Sequence, residues 1–121
     1  MASIATDETA RLIASDKVEG TAVYNRAGDH LGTVSRFMVD KISGQVDYAV
    51  LSFGGLFGLG REHYPLPWKV LSYDTDKGGY VVDLDKSVLE QAPHYAEDAE
   101  PAYNHAYGRE VYGYYGMLYP Y

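Results

Sequence analysis

The sequence predicts a mainly β protein: a small β-barrel, a short helix after its last strand, and a tyrosine-rich C-terminal extension. Between residues 12 and 84 the apolar runs are four to nine residues long, which suits strands and is too short for packed helices. Turn signals rich in Gly, Asn and Asp separate these runs. Such regular spacing is typical of a barrel or a sandwich.

The first predicted hairpin lies near the N-terminus. A run at residues 12–15 leads into a second run at residues 21–25. Residues 25–29 then supply the Gly, Asn and Asp that a tight reversal needs at positive φ.

The central hairpin joins residues 32–40 to residues 45–53 through the short connection at residues 43–44. Its first strand is apolar on both faces, with Met38 on one parity and Phe37 on the other. We expect such a strand to curl over a core.

Two later segments complete the predicted domain. Residues 80–84 alternate with a period of two after the turn at residues 74–79, which predicts another hairpin. A short helix should follow, with Asp85 or Ser87 as its N-cap and Pro93 as its stop.

These patterns divide the chain into three parts. Residues 1–11 are predicted to form a flexible leader, because they are small and polar. Residues 12–92 form the barrel domain, and residues 93–121 form a tail rich in tyrosine and glycine. The tail is predicted to be an extension and not a second core.

Composition excludes several classes of protein. With 121 residues the chain fits one domain, and its net charge of -7 disfavours binding to phosphate backbones. The absence of cysteine excludes disulfides and thiolate metal sites, and it is compatible with a reducing cytosol. No apolar run reaches the roughly 18 residues of a membrane span. We therefore expect a cytoplasmic protein without a transmembrane segment.

The order of the short motifs resembles that of the PRC-barrel family, which is named for a domain of the photosynthetic reaction-centre H subunit. The same domain forms the C-terminal part of the ribosome maturation factor of the 30S subunit. The resemblance covers residues 12–90. It is carried by Val18-Glu19-Gly20, Val23-Tyr24, Gly32-Thr33-Val34, Val39-Asp40, Gly44-Gln45-Val46, Tyr48-Ala49-Val50-Leu51, the loop from Gly54-Gly55 to Gly60, and Leu66-Pro67-Trp68.

The resemblance implies a compact antiparallel barrel of about six strands that acts by docking to other macromolecules. The tyrosine-rich ending looks like the tails of stand-alone bacterial members. The chain lacks the membrane-spanning helix of the reaction-centre subunit and the N-terminal partner domain of the ribosome factor. Neither of those specific roles therefore transfers.

No motif for catalysis or cofactor binding emerges. The glycines between residues 54 and 60 precede a proline-rich strand and not the helix that a dinucleotide site requires, and they are interpreted as a corner or a loop. The histidines lack metal-ligand spacing, and most aspartates border turns. We expect no enzyme activity, no cofactor and no metal. The histidines are His30, His63, His94 and His105.

Apolar loop residues and the tail aromatics are the candidates for interaction. The candidates are Phe57, Leu59, Trp68, Tyr112, Tyr114, Tyr115 and Tyr119. Trp68 is either packed in the core or exposed for docking. The tail either packs on its own barrel or on a second copy in a homodimer, or it contacts a foreign protein or a membrane-associated complex, or it is disordered.

The sequence therefore predicts a non-catalytic interaction or adaptor module that self-associates and docks to a larger macromolecular assembly. Two alternatives remain. One is a barrel that binds a small ligand at its end, and the other is an assembly factor for ribosomes or RNA processing.

Overall fold

A seven-stranded sheet organises the computed structural model, which describes residues 11–53 and 62–121. The strands are β1 (Ala22–Asn25), β2 (His30–Val39), β3 (Val46–Phe53), β4 (Glu62–Pro67), β5 (Ser72–Asp74), β6 (Gly79–Val82) and β7 (Tyr95–Ala96). The helices are α1 (Ser15–Val18), α2 (Lys86–Glu90) and α3 (His105–Tyr114), with a 3-10 turn at Trp68–Val70.

The strands lie in the order β5-β6-β1-β2-β3-β4-β7. Every pair is antiparallel except β1 with β6. The mainly β class is confirmed, but a closed barrel of six strands is not. In the described residues the sheet has seven strands and is open, with β5 and β7 at its two edges. The seventh strand arises because the chain beyond α2 returns to the edge of β4 and pairs there.

The predicted turns are confirmed. In the first hairpin the side chain of Asn25 accepts a hydrogen bond from the Asp29 amide at 2.9 Å, and Gly28 has φ +91°. In the central hairpin one carboxylate oxygen of Asp40 accepts the amides of Ile42 and Ser43, both at 2.8 Å. These aspartate and asparagine contacts replace ladder hydrogen bonds where each strand reverses.

Two local predictions are corrected. The predicted strand at residues 12–15 does not form, because the Ala14 carbonyl accepts the amides of Lys17 and Val18 and the chain enters α1. The helix expected after the last strand forms as α2 with Asp85 in the N-cap position, but β7 follows it. That helix therefore lies between two strands.

Strand β3 is buried on both faces, and this divides the apolar interior in two. Leu51 and Phe53 point into what we call the inner core, a cluster of mostly aliphatic side chains. Tyr48 lies on the opposite face in a second cluster, which we call the outer cluster. The other members of the inner core are Val18, Val23, Leu31, Val34, Tyr64, Leu66, Tyr80, Val82, Leu89 and Ala92.

Candidate interaction surface

Helix α3 packs against the outer face of the sheet and builds the outer cluster there. The ring of Tyr112 meets that of Tyr48 edge to face, with centroids 5.5 Å apart. Val111 is fully buried beside it, and Met38 of β2 packs against the same group. The Tyr112 hydroxyl donates a hydrogen bond to the backbone carbonyl of Asp47 at 2.6 Å. The tail therefore packs on the sheet of its own chain.

Local signals at both ends of α3 produce this placement. Asn104 is the N-cap, and its side chain accepts the Tyr107 amide at 2.9 Å. After the helix, Gly116 adopts φ +73°, and the Met117 amide returns to the Tyr112 carbonyl at 2.9 Å. A residue in this left-handed conformation is usually glycine. The chain can therefore reverse, and residues 117–121 return toward the helix.

Tyr119 locks the returning segment onto the helix. Its ring lies directly over Gly108, where an added Cβ would be 2.4 Å from the ring atoms. The same ring contacts Tyr112 and Tyr121, with centroids 5.0 Å and 5.5 Å away. Only glycine at position 108 leaves space for this packing.

The segment between β7 and α3 is tied to the sheet by polar contacts. The Arg36 guanidinium pairs with the Glu100 carboxylate and holds the pKa of Glu100 below its usual range. The hydroxyls of Tyr95 and Tyr103 lie 2.7 Å apart, and the Tyr103 ring meets Tyr48 at 5.1 Å. The ion pair, the contact between the two hydroxyls and the ring contact together fix the path of the chain into α3.

The end of the tail meets the turn between β2 and β3. The Tyr121 hydroxyl donates to the Asp47 carboxylate at 3.2 Å, which places Tyr121 beside this turn. Ile42 at the turn is 99% exposed, and Leu118 in the tail is 93% exposed. Leu118 is three residues from Tyr121, so the chain can separate them by about 11 Å at most. We call Ile42, Leu118 and Tyr121 the turn–tail surface.

Two carboxylates border the turn–tail surface. The backbone amides of Ser43 and Ile42 lower the pKa of Asp40, so this group stays ionised at neutral pH. Burial raises the pKa of Asp47, although the hydrogen bond from Tyr121 opposes that shift. Lys41 supplies the positive charge of the turn.

The predicted interaction residues have different positions. Trp68 is half-buried, and its ring lies 6.2 Å from Phe37 and 5.5 Å from Tyr80, so it packs against the inner core. Tyr112 is buried and Tyr115 and Tyr119 are half-buried, whereas Tyr114 is 40% exposed. Phe57 and Leu59 lie outside the described residues. Whether any of these residues contacts a partner stays a prediction.

Sequence reasoning missed Ile42 and Leu118. A signal existed for Ile42, because a large aliphatic residue at the tip of a short polar turn has no strand partner to cover it. No such signal exists for Leu118, because nothing in the sequence indicates whether Leu118 or one of the neighbouring tyrosines is the exposed residue. Only the packing of Tyr119 on Gly108 leaves Leu118 on the outside.

One cavity in the described part of the chain has a volume of about 460 Å³. Its lining includes Tyr64, Lys86 and Glu90, together with Phe53 and Glu62, which flank the undescribed residues 54–61. Within residues 11–53 and 62–121 no group of His, Asp or Glu has the geometry of a metal site. None of the helices described has the length and apolarity to cross a membrane.

Comparison with known proteins identifies the domain. A family model for the PRC-barrel domain matches residues 11–89, which is more than half of the chain. A search of curated proteins found no match to the chain. The matched residues include both strands of the central hairpin and end inside α2, so β7 and α3 lie beyond them. Because the family model matches most of the chain and the structure is mainly β, the chain belongs to the PRC-barrel domain family.

Proposed function

We propose that this protein is a non-catalytic interaction module that docks to another protein in a larger assembly through the turn–tail surface. The observation that carries the proposal is the near-complete exposure of Ile42, in the turn beside which Tyr121 lies, and of Leu118, three residues before Tyr121. Membership of the PRC-barrel family supports an interaction role.

The exposure of Ile42 and Leu118 has a free-energy cost that docking to a partner would remove. A large aliphatic side chain gains about 1.5–3 kcal/mol when it moves from water into an apolar contact. Ile42 and Leu118 gain almost none of this in the free protein, because they contact so little of it. Tyr121 adds contact area and a hydroxyl at small entropic cost, as tyrosine does in many protein interfaces. The surface therefore has the composition of a small docking site.

Self-association is the second form of the proposal, and a different surface supports it. Tyr114 and Val88 are each 40% exposed, and the Tyr114 hydroxyl donates to the Val88 carbonyl. Together with Tyr115 and Leu84 they line a shallow cavity of about 360 Å³ between α2 and α3. A second copy seated there would leave the turn–tail surface open for the assembly.

The test uses paired substitutions on the full chain. Ile42→Asp and Leu118→Asp should abolish recovery of a specific partner from native lysate, because each places a charge inside the apolar contact. Ala27→Asp is the control, since Ala27 is exposed in the turn at the other end of β2. Recovery that is equal for all three variants would contradict docking at this surface.

Two further measurements address the other parts of the proposal. Light scattering on the wild-type chain and on Tyr114→Asp should show loss of a dimer in the variant if α2 and α3 form the self-association surface. A thermal shift with metals, nucleotides or metabolites would instead favour a ligand-binding barrel, because a ligand that binds only the folded state raises the melting temperature.

A further inference from the structure

We infer that the turn–tail surface binds a cationic segment of a partner protein, in which an apolar side chain is flanked by Lys or Arg. The inference rests on the proposed function and names the chemistry of the partner. It is carried by Asp40, whose carboxylate accepts the amide of exposed Ile42, and by Asp47, whose carboxylate accepts the hydroxyl of Tyr121, three residues after exposed Leu118.

Around the turn, carboxylates outnumber ammonium groups. Asp40 has one carboxylate oxygen held by two backbone amides of the turn, so its charge is fixed in place next to Ile42. The Asp47 carboxylate lies against the Tyr121 hydroxyl at the other side of the turn. Lys41 is the cation of the turn, so two carboxylates stand against one ammonium group. His105, whose ring nitrogen lies 2.6 Å from the backbone oxygen of Tyr121, also faces this end of the tail.

The whole chain is acidic, which also favours a cationic partner. A net charge of -7 attracts cations over a longer range than any single pair and repels phosphate groups. Anionic lipid surfaces and nucleic acids are therefore poor occupants, since both need clustered Lys or Arg on the protein. A protein segment with its own Lys or Arg complements this field.

Charge also favours a foreign partner over a second copy of the chain at this surface. A two-fold symmetric contact places the same patch on both subunits. It would bring four carboxylates of Asp40 and Asp47 around the contact against two ammonium groups of Lys41. Like charges across an interface oppose association, so the second copy is disfavoured at this surface.

The turn–tail surface is assembled from two separate parts of the chain. Ile42 belongs to the part of the chain that matches the family model, whereas Leu118 and Tyr121 belong to the tail beyond it. The surface is complete only when Tyr119 is packed on Gly108 and brings the end of the tail to the turn. Binding should therefore require the docked tail as well as the family domain.

The experiment replaces Ile42 with a photo-crosslinking amino acid in the full chain, and replaces Ala27 in a matched control. After irradiation in native lysate, mass spectrometry identifies the segment that is crosslinked to each position. We expect a segment with Lys or Arg next to an apolar residue at position 42 and not at position 27. An acidic segment, a second copy of this chain or a lipid at position 42 would overturn the inference.

A defined probe provides the second measurement. A short peptide of alternating Lys and Leu should bind the protein, whereas the Glu and Leu version should not. Ile42→Ser or Leu118→Ser should weaken binding by about ten-fold or more. Asp40→Asn keeps the oxygen that accepts the turn amides and removes the charge, so it should weaken binding by about two- to five-fold. Equal binding by wild type and all three variants would overturn the inference.

The two proposals fail differently. If position 42 crosslinks to a foreign protein through a segment without basic residues, the docking function stands and the cationic partner is wrong. If position 42 crosslinks no more than position 27 does, docking at the turn–tail surface is itself wrong.

Discussion

The inner core and the outer cluster lie on opposite faces of β3, yet different side chains build them. The inner core is mostly aliphatic, with residues such as Leu51, Val82 and Leu89 almost completely buried. The outer cluster is mostly tyrosine, and Val111 is its buried aliphatic residue. Burial of area alone stabilises the first, whereas the second also depends on hydroxyl groups and ring geometry. Conditions or substitutions that act on tyrosine should therefore separate the two.

The clusters also differ in their place along the chain. The inner core is drawn from residues 18–92, nearly all within the match to the family model. The outer cluster joins β2 and β3 to a helix that lies beyond the match. A family domain can thus carry an added tail whose packing extends its surface.

The largest effect is expected from the inner core. Leu51→Ala should lower the free energy of unfolding by about 2–5 kcal/mol, because it leaves a cavity among side chains that cannot all relax into it. Urea unfolding followed by circular dichroism measures the change. An unchanged midpoint would mean that the inner core is not the main source of stability.

Alkaline pH should weaken the tail contact before the inner core. Burial raises the pKa of Tyr107 and Tyr112 from 10.0 to about 12. From about pH 10 to pH 12 a released tail loses protons that the docked tail retains, so docking is complete below this range and is lost through it.

The tyrosines with raised pKa are also concentrated at the tail contact. They are Tyr48, Tyr103, Tyr107, Tyr112, Tyr115 and Tyr121, against Tyr64 and Tyr80 in the inner core. The methyl resonances of Val111 should therefore shift at lower pH than those of Leu51. Simultaneous shifts would contradict a separable tail.

Two glycines of α3 offer a matched comparison. Gly108→Ala should destabilise the docked tail by about 1–3 kcal/mol, because its Cβ would overlap the Tyr119 ring. Gly113→Ala has open space around the added carbon and should stabilise the helix by up to about 1 kcal/mol. Thermal unfolding measures both, and a loss of stability that is equal in the two variants would contradict the ring packing.

The smallest effect is expected from single hydroxyl groups. Tyr112→Phe removes the hydrogen bond to the Asp47 carbonyl and should cost about 1 kcal/mol. Tyr115→Phe is its control, since the buried Tyr115 hydroxyl has no hydrogen-bond partner among the described residues. Its removal should leave stability unchanged or raise it. If both variants lose the same stability, the hydroxyl of Tyr112 has no special role.

Much of the fold could be predicted because its signals are local. The turn at residues 25–29 and the central hairpin follow from Gly, Asn and Asp at the points of reversal, and the structure confirms them. The first strand of the central hairpin, which is β2, was predicted to be apolar on both faces, and Phe37 and Met38 do pack against the inner core and the outer cluster respectively. The N-cap position of α2 was predicted for the same local reason.

The rest depends on contacts between distant parts of the chain. The seventh strand of the sheet is β7, which pairs with β4, and a strand of two residues is too short for a local sequence pattern to predict that pairing. The exposure of Leu118 follows from Tyr119 seated on Gly108, eleven positions away. The composition of the tail predicted contact without indicating which tyrosines face the sheet.

The sequence alone therefore determined the mainly β class, the turns, the family resemblance and the aromatic character of the tail, because each depends on residues that are neighbours in the chain. The tertiary structure decided which face of β3 the tail covers, and it brought Tyr121 beside the turn that carries Ile42. The physical reason is that these contacts form between surfaces that exist only after the strands have paired.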